Sequence, residues 1–256
     1  MTLYPPNELK RKLAGRQPAL GYWLSLRSLA VTEMAAGLGW DWLLLDMEHV
    51  IHDVETVEQH LLAARHASSQ TELVVRVPSI DPALVKRLLD GGVRSFMFPL
   101  VQTVEEARLA VASTRYPPKG IRGFSGGTRA TRWGRDTSYL STYEDDICVI
   151  LQIESPETIP NIAAFGAMDG VDAMLIGAND LAANCGHLGD TSHPEVIKVF
   201  DEAALQILAT GKATGFQFFN QQRAKGLMDR GLTLAAVAGD LDTLTRASAA
   251  ELAAYR

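Results

Sequence analysis

The sequence predicts an α/β protein built as a single (β/α)8 barrel, the TIM-barrel architecture, over residues 1–256. Eight strand-like apolar runs alternate with eight helical patterns, and neither a linker nor a shift in composition interrupts them. The runs are almost continuously apolar, which is typical of parallel strands that are buried on both faces. This alternation over a chain of about 250 residues favours a closed barrel over an open doubly wound sheet.

The predicted elements follow one another in a regular order after a short leading helix at residues 9–13. Strands are expected at residues 19–26, 42–46, 72–77, 95–100, 147–153, 171–176, 213–218 and 233–238. Helices are expected at residues 29–38, 53–66, 81–91, 103–113, from 155, 194–210, 221–230 and from 240. Asp53, Asp81, Thr103 and Asp240 are predicted N-caps. Residues 116–143 predict one long loop with room for a short helix, and loops of this length are usually functional.

Composition and charge exclude several classes of function. The net charge of −6 argues against a general nucleic-acid-binding protein. The spacing of Cys148 and Cys185 argues against a disulfide framework or a thiolate zinc site and fits a reducing compartment. The first residues lack the apolar segment of a signal peptide, and no run of about 18 apolar residues exists to span a membrane. We therefore expect a cytoplasmic protein without a membrane partner.

Polar residues collect where the predicted strands end, most densely in the segment DWLLLDMEHVIH at residues 41–52. The carboxyl ends of barrel strands share one face, and active sites of such barrels lie there. The residues expected at this face are Trp23, Ser25, Asp46, Glu48, His49, Arg76, Gln152, Glu154, Asp180 and Gln217. Together they predict one active site.

Glu154 and Asp180 follow neighbouring strands and are candidate metal ligands. Two carboxylates with positions left for water and substrate suit Mg2+ or Mn2+ better than zinc. The alternative is that each carboxylate caps the helix that follows it, and for Asp180 the two interpretations are equally supported.

His49 is the candidate general base, because it alone among the six histidines directly follows a buried strand beside carboxylates. Asp46 stands three residues earlier and could fix its tautomer and raise its basicity. A zinc site made of His49, His52 and Glu48 is a weaker alternative, since the spacing is not that of a metalloprotease helix. We expect His52, His60 and His66 on the surface.

Arg76 is the one cation expected inside the barrel strands, where an unpaired charge is costly. It could pair with Asp46 or Glu154, or it could hold an anionic substrate; the sequence favours neither. Residues 107–135 contain bases but no acid. That stretch is either a solvated loop or subunit contact, or a positive rim that steers anions. No nucleotide-binding fingerprint is present.

Five motifs, LLLDMEH, VVRVPSIDP, TRYPPKGIRG, LQIE and IGANDLA, occur in an order that resembles one enzyme family. This is the family of metal-dependent pyruvate aldolases that includes 4-hydroxy-2-oxoheptanedioate and 2-dehydro-3-deoxyglucarate aldolases. The resemblance extends from about Gly21 to the last helix. It implies a barrel whose last helix swaps onto a neighbouring subunit, within a homohexamer made of two trimers.

The resemblance also implies roles for single residues. Glu154 and Asp180 would bind a divalent ion (Mg2+, Mn2+ or Co2+), and His49, oriented by Asp46, would be the base. Arg76 would hold the keto oxygen of pyruvate and stabilise its enolate. Substrate contacts are implied for Gln152, Gly177, Asn179, Asp180, Trp23 and Gln217, and Asp90 is implied to reach a neighbouring subunit's site.

The predicted activity is reversible, metal-dependent aldol cleavage of a 4-hydroxy-2-oxo acid to pyruvate and an aldehyde, through a metal-bound pyruvate enolate. No lysine is expected at a strand end, which argues against a Schiff-base aldolase. Two alternatives remain: an oxaloacetate decarboxylase or other enolate-condensing enzyme, and an inert metabolite-binding barrel. The chain departs from the family at Met47, Ala178, Asn179 and Gln217. Gln217, Phe216, Phe218 and Trp23 would shape the aldehyde pocket.

Overall fold

A computed structural model describes residues 5–217 and 220–256, and it confirms the predicted barrel. Eight parallel strands close on one another in sequence order, β1 to β8. They are β1 Ala19–Leu24, β2 Trp42–Asp46, β3 Glu72–Arg76, β4 Ser95–Phe98, β5 Cys148–Ile153, β6 Ala173–Ile176, β7 Ala213–Gln217 and β8 Leu234–Gly239. The predicted end of the seventh strand at Phe218 lies outside the described residues.

Helices surround the strands and start mostly at the expected caps. They are α1 Glu8–Ala14, α2 Leu29–Gly37, α3 Val54–Ala67, α4 Pro82–Asp90, α5 Val104–Ser113, α6 Tyr139–Asp146, α7 Ile162–Gly166, α8 Ala178–Asn184, α9 Pro194–Ala209, α10 Gln221–Asp229 and α11 Asp240–Ala253. The side chains of Asp53, Asp81 and Thr103 accept hydrogen bonds from the first turns of α3, α4 and α5, as predicted. None of the described helices is long and apolar enough to cross a membrane.

Three helix predictions need correction. The helix expected from residue 155 is a 3-10 helix, Pro156–Asn161, followed by the short α7, because Pro160 has no N–H to donate. The alternative of Asp180 as the cap of a following helix is wrong, because the short α8 starts at Ala178 with Gly177 in the cap position and Asp180 lies in its first turn. Asp240 is the first residue of α11 rather than its cap, and its carboxylate accepts the N–H groups of Ser25 and Leu26 at 2.8 and 2.9 Å. The loop after β1 is thereby tied to the last helix.

The inside of the barrel is packed rather than open. The indole of Trp42 fills the space beside Gly21, where an added Cβ would lie 2.1 Å from the ring. Trp42 also donates its ring N–H to the carbonyl of Ala19 at 3.1 Å. Leu9 and Leu13 of α1 join the same interior cluster. These two side chains close the N-terminal end of the barrel, which we call the floor.

A buried polar network completes the floor. Arg94 donates to both carboxylate oxygens of Glu72 at 2.8–3.2 Å, and the hydroxyl of Ser95 donates to the same carboxylate at 2.8 Å. The side-chain amide of Asn7 donates to the Ser95 oxygen at 2.8 Å, and its second bond reaches the carbonyl of Asp146. Each charge at the floor therefore has a partner, and α1 covers the network.

Residues 114–138, the basic segment, are anchored to the rest of the chain by ion pairs. Arg122 is 1% exposed, lies over the ring of Tyr116 at 4.4 Å and binds Asp90 at 2.9 Å. Arg129 binds Glu58 at 2.7 Å, and Lys119 binds Glu144 at 2.9 Å. These contacts support a structural role for the segment over that of a free electropositive rim.

Candidate active site

The carboxyl ends of the strands surround a cavity of about 510 Å³, which we call the mouth. Its lining comprises Trp23, Ser25, Asp46, His49, Arg76, Gln152, Glu154, Gly177, Asn179, Asp180, Gln217, Gly239, Leu241, Asp242 and Thr245. All the residues predicted as catalytic, metal-binding or substrate-binding lie in this lining, and Asp90 does not. Parallel strands bring them together because each strand ends at the same face.

Arg76 is held by two carboxylates at the base of the mouth. Asp46 and Arg76 are registered neighbours on β2 and β3, and Nε and Nη2 of the arginine donate to the two oxygens of Asp46. Nη1 lies 2.9 Å from Oε2 of Glu48. The guanidinium also lies over the indole of Trp23 at 4.8 Å. Of the two partners that the sequence left open for Arg76, the structure selects Asp46.

Electrostatics of this group depend on burial and on the arginine. Burial raises the pKa of the Asp46 carboxyl, but the hydrogen bonds and charge of Arg76 outweigh it, and the net shift is downward. Burial raises the pKa of Glu48, with smaller contributions from the charges of Asp46 and Asp180, and together these outweigh the lowering by the charges of Arg76 and His49. Asp46 therefore stays ionised in its pair with Arg76, since it accepts two of the arginine's hydrogen bonds.

His49 stands on a turn that Asp46 holds together. Oδ1 of Asp46 accepts the backbone N–H groups of Glu48 at 3.0 Å and His49 at 3.3 Å. The imidazole itself is 63% exposed, and its Nε2 lies 3.8 Å from Oε2 of Glu48. Asp46 thus contacts His49 through the main chain, whereas the sequence suggested a contact to the ring.

Glu154 is the buried carboxylate of the mouth, with 3% of its surface exposed. Its Oε2 accepts the backbone N–H of Leu100 at 2.8 Å, and its Oε1 accepts the side-chain amide of Gln152 at 3.0 Å. Burial raises its pKa to about 7, with added repulsion from Asp180 and Glu48. The carboxylate presses against Gly177, where an added Cβ would lie 2.3 Å from Oε1. Glycine is required there to admit the carboxylate.

The donor set of the mouth fits a hard divalent ion. Glu154 and Asp180 provide carboxylate oxygens, and Asp180 lies in the first turn of α8, only partly buried. Oε1 of Gln152 is buried beside Glu154 and lacks a hydrogen-bond partner among the described residues. Oxygen ligands with room for water suit Mg2+ and Mn2+. A cation would also relieve the repulsion between Glu154 and the two carboxylates near it.

Four residues of the lining were not predicted from the sequence, namely Gly239, Leu241, Asp242 and Thr245. Glu48 was expected at this face without a role of its own beyond the weaker zinc alternative, and it pairs with Arg76 at 2.9 Å. Asp242 and Thr245 line the mouth from α11. They could not be found from strand-end patterns, because they lie on a helix that returns over the mouth.

Two further predictions concern residues away from the mouth. Asp90, expected at a neighbouring subunit's site, lies at the end of α4 and binds Arg122 of its own chain. His60 was expected on the surface, and this is wrong. It is 2% exposed, and its Nδ1 lies 2.7 Å from the hydroxyl of Thr32. Burial lowers its pKa to about 4. The apolar face of α3 carries it inward against α2.

Comparison with known proteins places the chain among aldolases. A family model described as HpcH/HpaI aldolase/citrate lyase matches residues 19–247. The chain is 41% identical to the 5-keto-4-deoxy-D-glucarate aldolase of Escherichia coli (strain K12) over 243 residues, 95% of this chain and 94% of that one. It is also 41% identical to a 4-hydroxy-2-oxo-heptane-1,7-dioate aldolase of Escherichia coli over 250 residues, 97% of this chain and 95% of that one.

A solved structure agrees with these matches. The crystal structure of an HpcH/HpaI aldolase/citrate lyase family protein from Burkholderia cenocepacia J2315 superposes with a TM-score of 0.94 at 38% identity. The match covers 98% of this chain and 99% of that one. The resemblance predicted from the motifs is confirmed, and with it the prediction of a lyase: the chain belongs to the HpcH/HpaI aldolase/citrate lyase family.

Proposed function

We propose that this protein cleaves 4-hydroxy-2-oxo acids reversibly to pyruvate and an aldehyde, with a divalent metal ion. The observation that carries the proposal is the mouth itself. A buried carboxylate, Glu154, stands beside a second carboxylate, Asp180, in the same cavity as a fixed arginine and an exposed histidine. The aldolase names of the relatives that are 41% identical agree with this chemistry.

Glu154 and Asp180 would hold the ion, for which Mg2+, Mn2+ and Co2+ are the candidates. When bound, the ion supplies positive charge against the charge that develops on the substrate oxygens during cleavage. Gly177 leaves room for the Glu154 carboxylate, and Gln152 holds its Oε1. Two hydrogen bonds to Glu154 therefore fix one ligand before the ion arrives.

Arg76 acts on the keto oxygen of the pyruvate half. Its guanidinium cannot swing away, because Asp46 and Glu48 hold it from two sides and Trp23 lies beneath it. A fixed cation next to the oxygen that gains charge lowers the barrier without reorganisation. The backbone at Gly177 and Asn179 would receive the carboxylate of the substrate, and Trp23 and Gln217 would contact the aldehyde half.

His49 serves as the base for the aldol hydroxyl. In the cleavage direction its imidazole takes the proton of the C4 hydroxyl, and the C3–C4 bond breaks as the C4 carbonyl forms. The bonding electrons pass to C3, and the enolate of pyruvate is the first product beside the aldehyde. Protonation at C3 then gives pyruvate. Asp46 positions His49 through the turn whose backbone it binds.

The exposed apolar side chains of the last helix, α11, support the proposal that the protein forms an oligomer. Only Asp240 of α11 is buried, while Leu241, Leu244 and Leu252 are each more than half exposed. A helix that leaves its apolar side chains uncovered fits the proposed swap onto a neighbouring subunit and the proposed hexamer of two trimers. Light scattering in solution should give the mass of six copies; a monomer would contradict this part of the proposal.

The test of the activity is release of pyruvate from a 4-hydroxy-2-oxo acid by metal-stripped protein. Added Mg2+, Mn2+ or Co2+ should restore cleavage, and chelator or Glu154→Gln should abolish it. His49→Ala should lose about 10²–10⁴-fold in kcat, as expected for an acid–base group, while His66→Ala should not. Full cleavage in chelator would overturn the metal mechanism. Oxaloacetate decarboxylation without aldol cleavage would favour the decarboxylase alternative.

A further inference from the structure

A second group of metal-type ligands lies outside the mouth, in the segment that joins α8 to α9. His187, His193 and Glu195 each offer one ligand atom, and these atoms lie within 4.8 Å of one another. None of the three belongs to the described lining of the mouth. They occur as His-x5-His-x-Glu over nine residues, so that a single short segment supplies the whole group.

The three side chains already contact one another. Nε2 of His187 lies 2.9 Å from Oε2 of Glu195. The rings of His187 and His193 are stacked, with centroids 3.4 Å apart and planes inclined by 19°. Nδ1 of His193 accepts the backbone N–H of Glu195 in a long bond of 3.3 Å, for which a coordinated ion would compete.

The ligand types differ from those of the mouth. The mouth provides carboxylate and amide oxygens, which suit Mg2+ and Mn2+. Two imidazoles with one carboxylate form a nitrogen-rich set, which zinc and related transition-metal ions prefer and which leaves a coordination position for water. We propose that His187, His193 and Glu195 form a second metal site, selective for a transition-metal ion of the zinc class.

The position of this second site connects it to the mouth through α8. The first turn of that helix contains two residues of the mouth, Asn179 and Asp180, and the helix ends at Asn184. The side chain of Asn184 donates to the backbone carbonyl of Glu154 at 2.8 Å. An ion held by His187 would therefore fix the chain that leaves α8 and restrain the end of the helix opposite to Asp180.

The experiment uses full-length Glu154→Gln protein, stripped of metal, so that the mouth no longer competes for the probe ion. Zn2+ alone is the probe, measured by equilibrium dialysis. We expect one Zn2+ per chain. Adding His187→Ala or His193→Ala should weaken this binding by at least about tenfold. Loss of a group that only hydrogen-bonds to a metal ligand already lowers metal affinity by about 10–100-fold. His66→Ala and Cys185→Ser, which leave the three ligands intact, should bind Zn2+ unchanged.

Thermal unfolding gives a second measurement that does not depend on turnover. Zn2+ should raise the unfolding midpoint of Glu154→Gln protein and leave that of the His187→Ala double variant unchanged. Without Zn2+ the two should unfold alike, since His187 and Glu195 are 25% and 62% exposed. The second site is refuted if Glu154→Gln protein binds no Zn2+, or if both histidine variants bind as much as their parent. Neither outcome bears on aldol cleavage.

Discussion

Strand β3 carries a buried ion pair at each of its two termini, and the two ion pairs have different roles. At the floor, Glu72 accepts two donors from Arg94 and one from Ser95, and α1 covers the group. At the mouth, Arg76 is clamped by Asp46 and Glu48 beneath an open cavity. Both are buried ion pairs on one strand, only a few residues apart.

The difference lies in what remains unpaired. At the floor the buried charges satisfy one another. At the mouth, burial and the repulsion of Asp180 and Glu48 raise the pKa of Glu154 to about 7, and Oε1 of Gln152 has no partner among the described residues. Incomplete pairing in a cavity marks a place prepared for a ligand, whereas complete pairing under a covering helix stabilises the fold.

The strongest way to break this comparison is to remove the arginine at each end. Arg76→Met should lower kcat/KM for aldol cleavage by about 10²–10³, because the keto oxygen loses its fixed cation. Arg94→Met should leave kcat/KM near that of the parent. Each variant leaves a buried carboxylate without its cationic partner and should lower the free energy of unfolding by about 3–5 kcal/mol. Equal losses of activity in the two variants would contradict a catalytic role for Arg76 that Arg94 does not share.

The raised pKa of Glu154 predicts an unusual dependence of stability on pH. Its carboxyl group titrates near 7 in the folded, metal-free protein but near 4.5 when unfolded. Between these values the folded state holds a proton that the unfolded chain has released, so stability falls as pH rises through this window. Relative to Glu154→Gln, the parent should lose about 3 kcal/mol of unfolding free energy between pH 4.5 and 7.

Urea denaturation in chelator measures this difference. His60, with a pKa of about 4 when folded, contributes the opposite slope between that value and its ordinary 6.5. Its contribution is present in both proteins and cancels when the variant is subtracted from the parent. Parallel curves for the two proteins across the window would refute the predicted titration of Glu154.

The close approach of Gly177 to Glu154 gives a finer probe. Gly177→Ala places a methyl group on the carboxylate, since the added Cβ would lie 2.3 Å from Oε1, and the side chain must move. We expect about a 10²-fold loss of kcat, the cost of a small misplacement of a catalytic group. Gly226→Ala on α10 is the matched control, because its Cβ would meet nothing within 4 Å. A fully active Gly177→Ala protein would argue against Glu154 as a positioned ligand.

Much of the fold could be predicted because each strand is a short apolar run bounded by turn residues. The grouping of polar residues at the mouth followed from the parallel order of the strands. The partner of Arg76 could not be selected, because that depends on register: Asp46 is its direct neighbour on β2. The burial of His60 and the contribution of Asp242 depend on how helices pack over the strands, which the local pattern of the sequence does not contain.

The central claim is that the carboxylates of the mouth hold a cation that promotes formation of pyruvate enolate. Exchange of the methyl protons of pyruvate in D2O, followed by proton NMR, tests this without any aldehyde. We expect exchange in the parent with Mg2+ or Mn2+, no exchange in chelator or in Glu154→Gln, and retained exchange in Glu72→Gln, whose change lies at the floor. Exchange that persists in chelator or in Glu154→Gln would contradict the account.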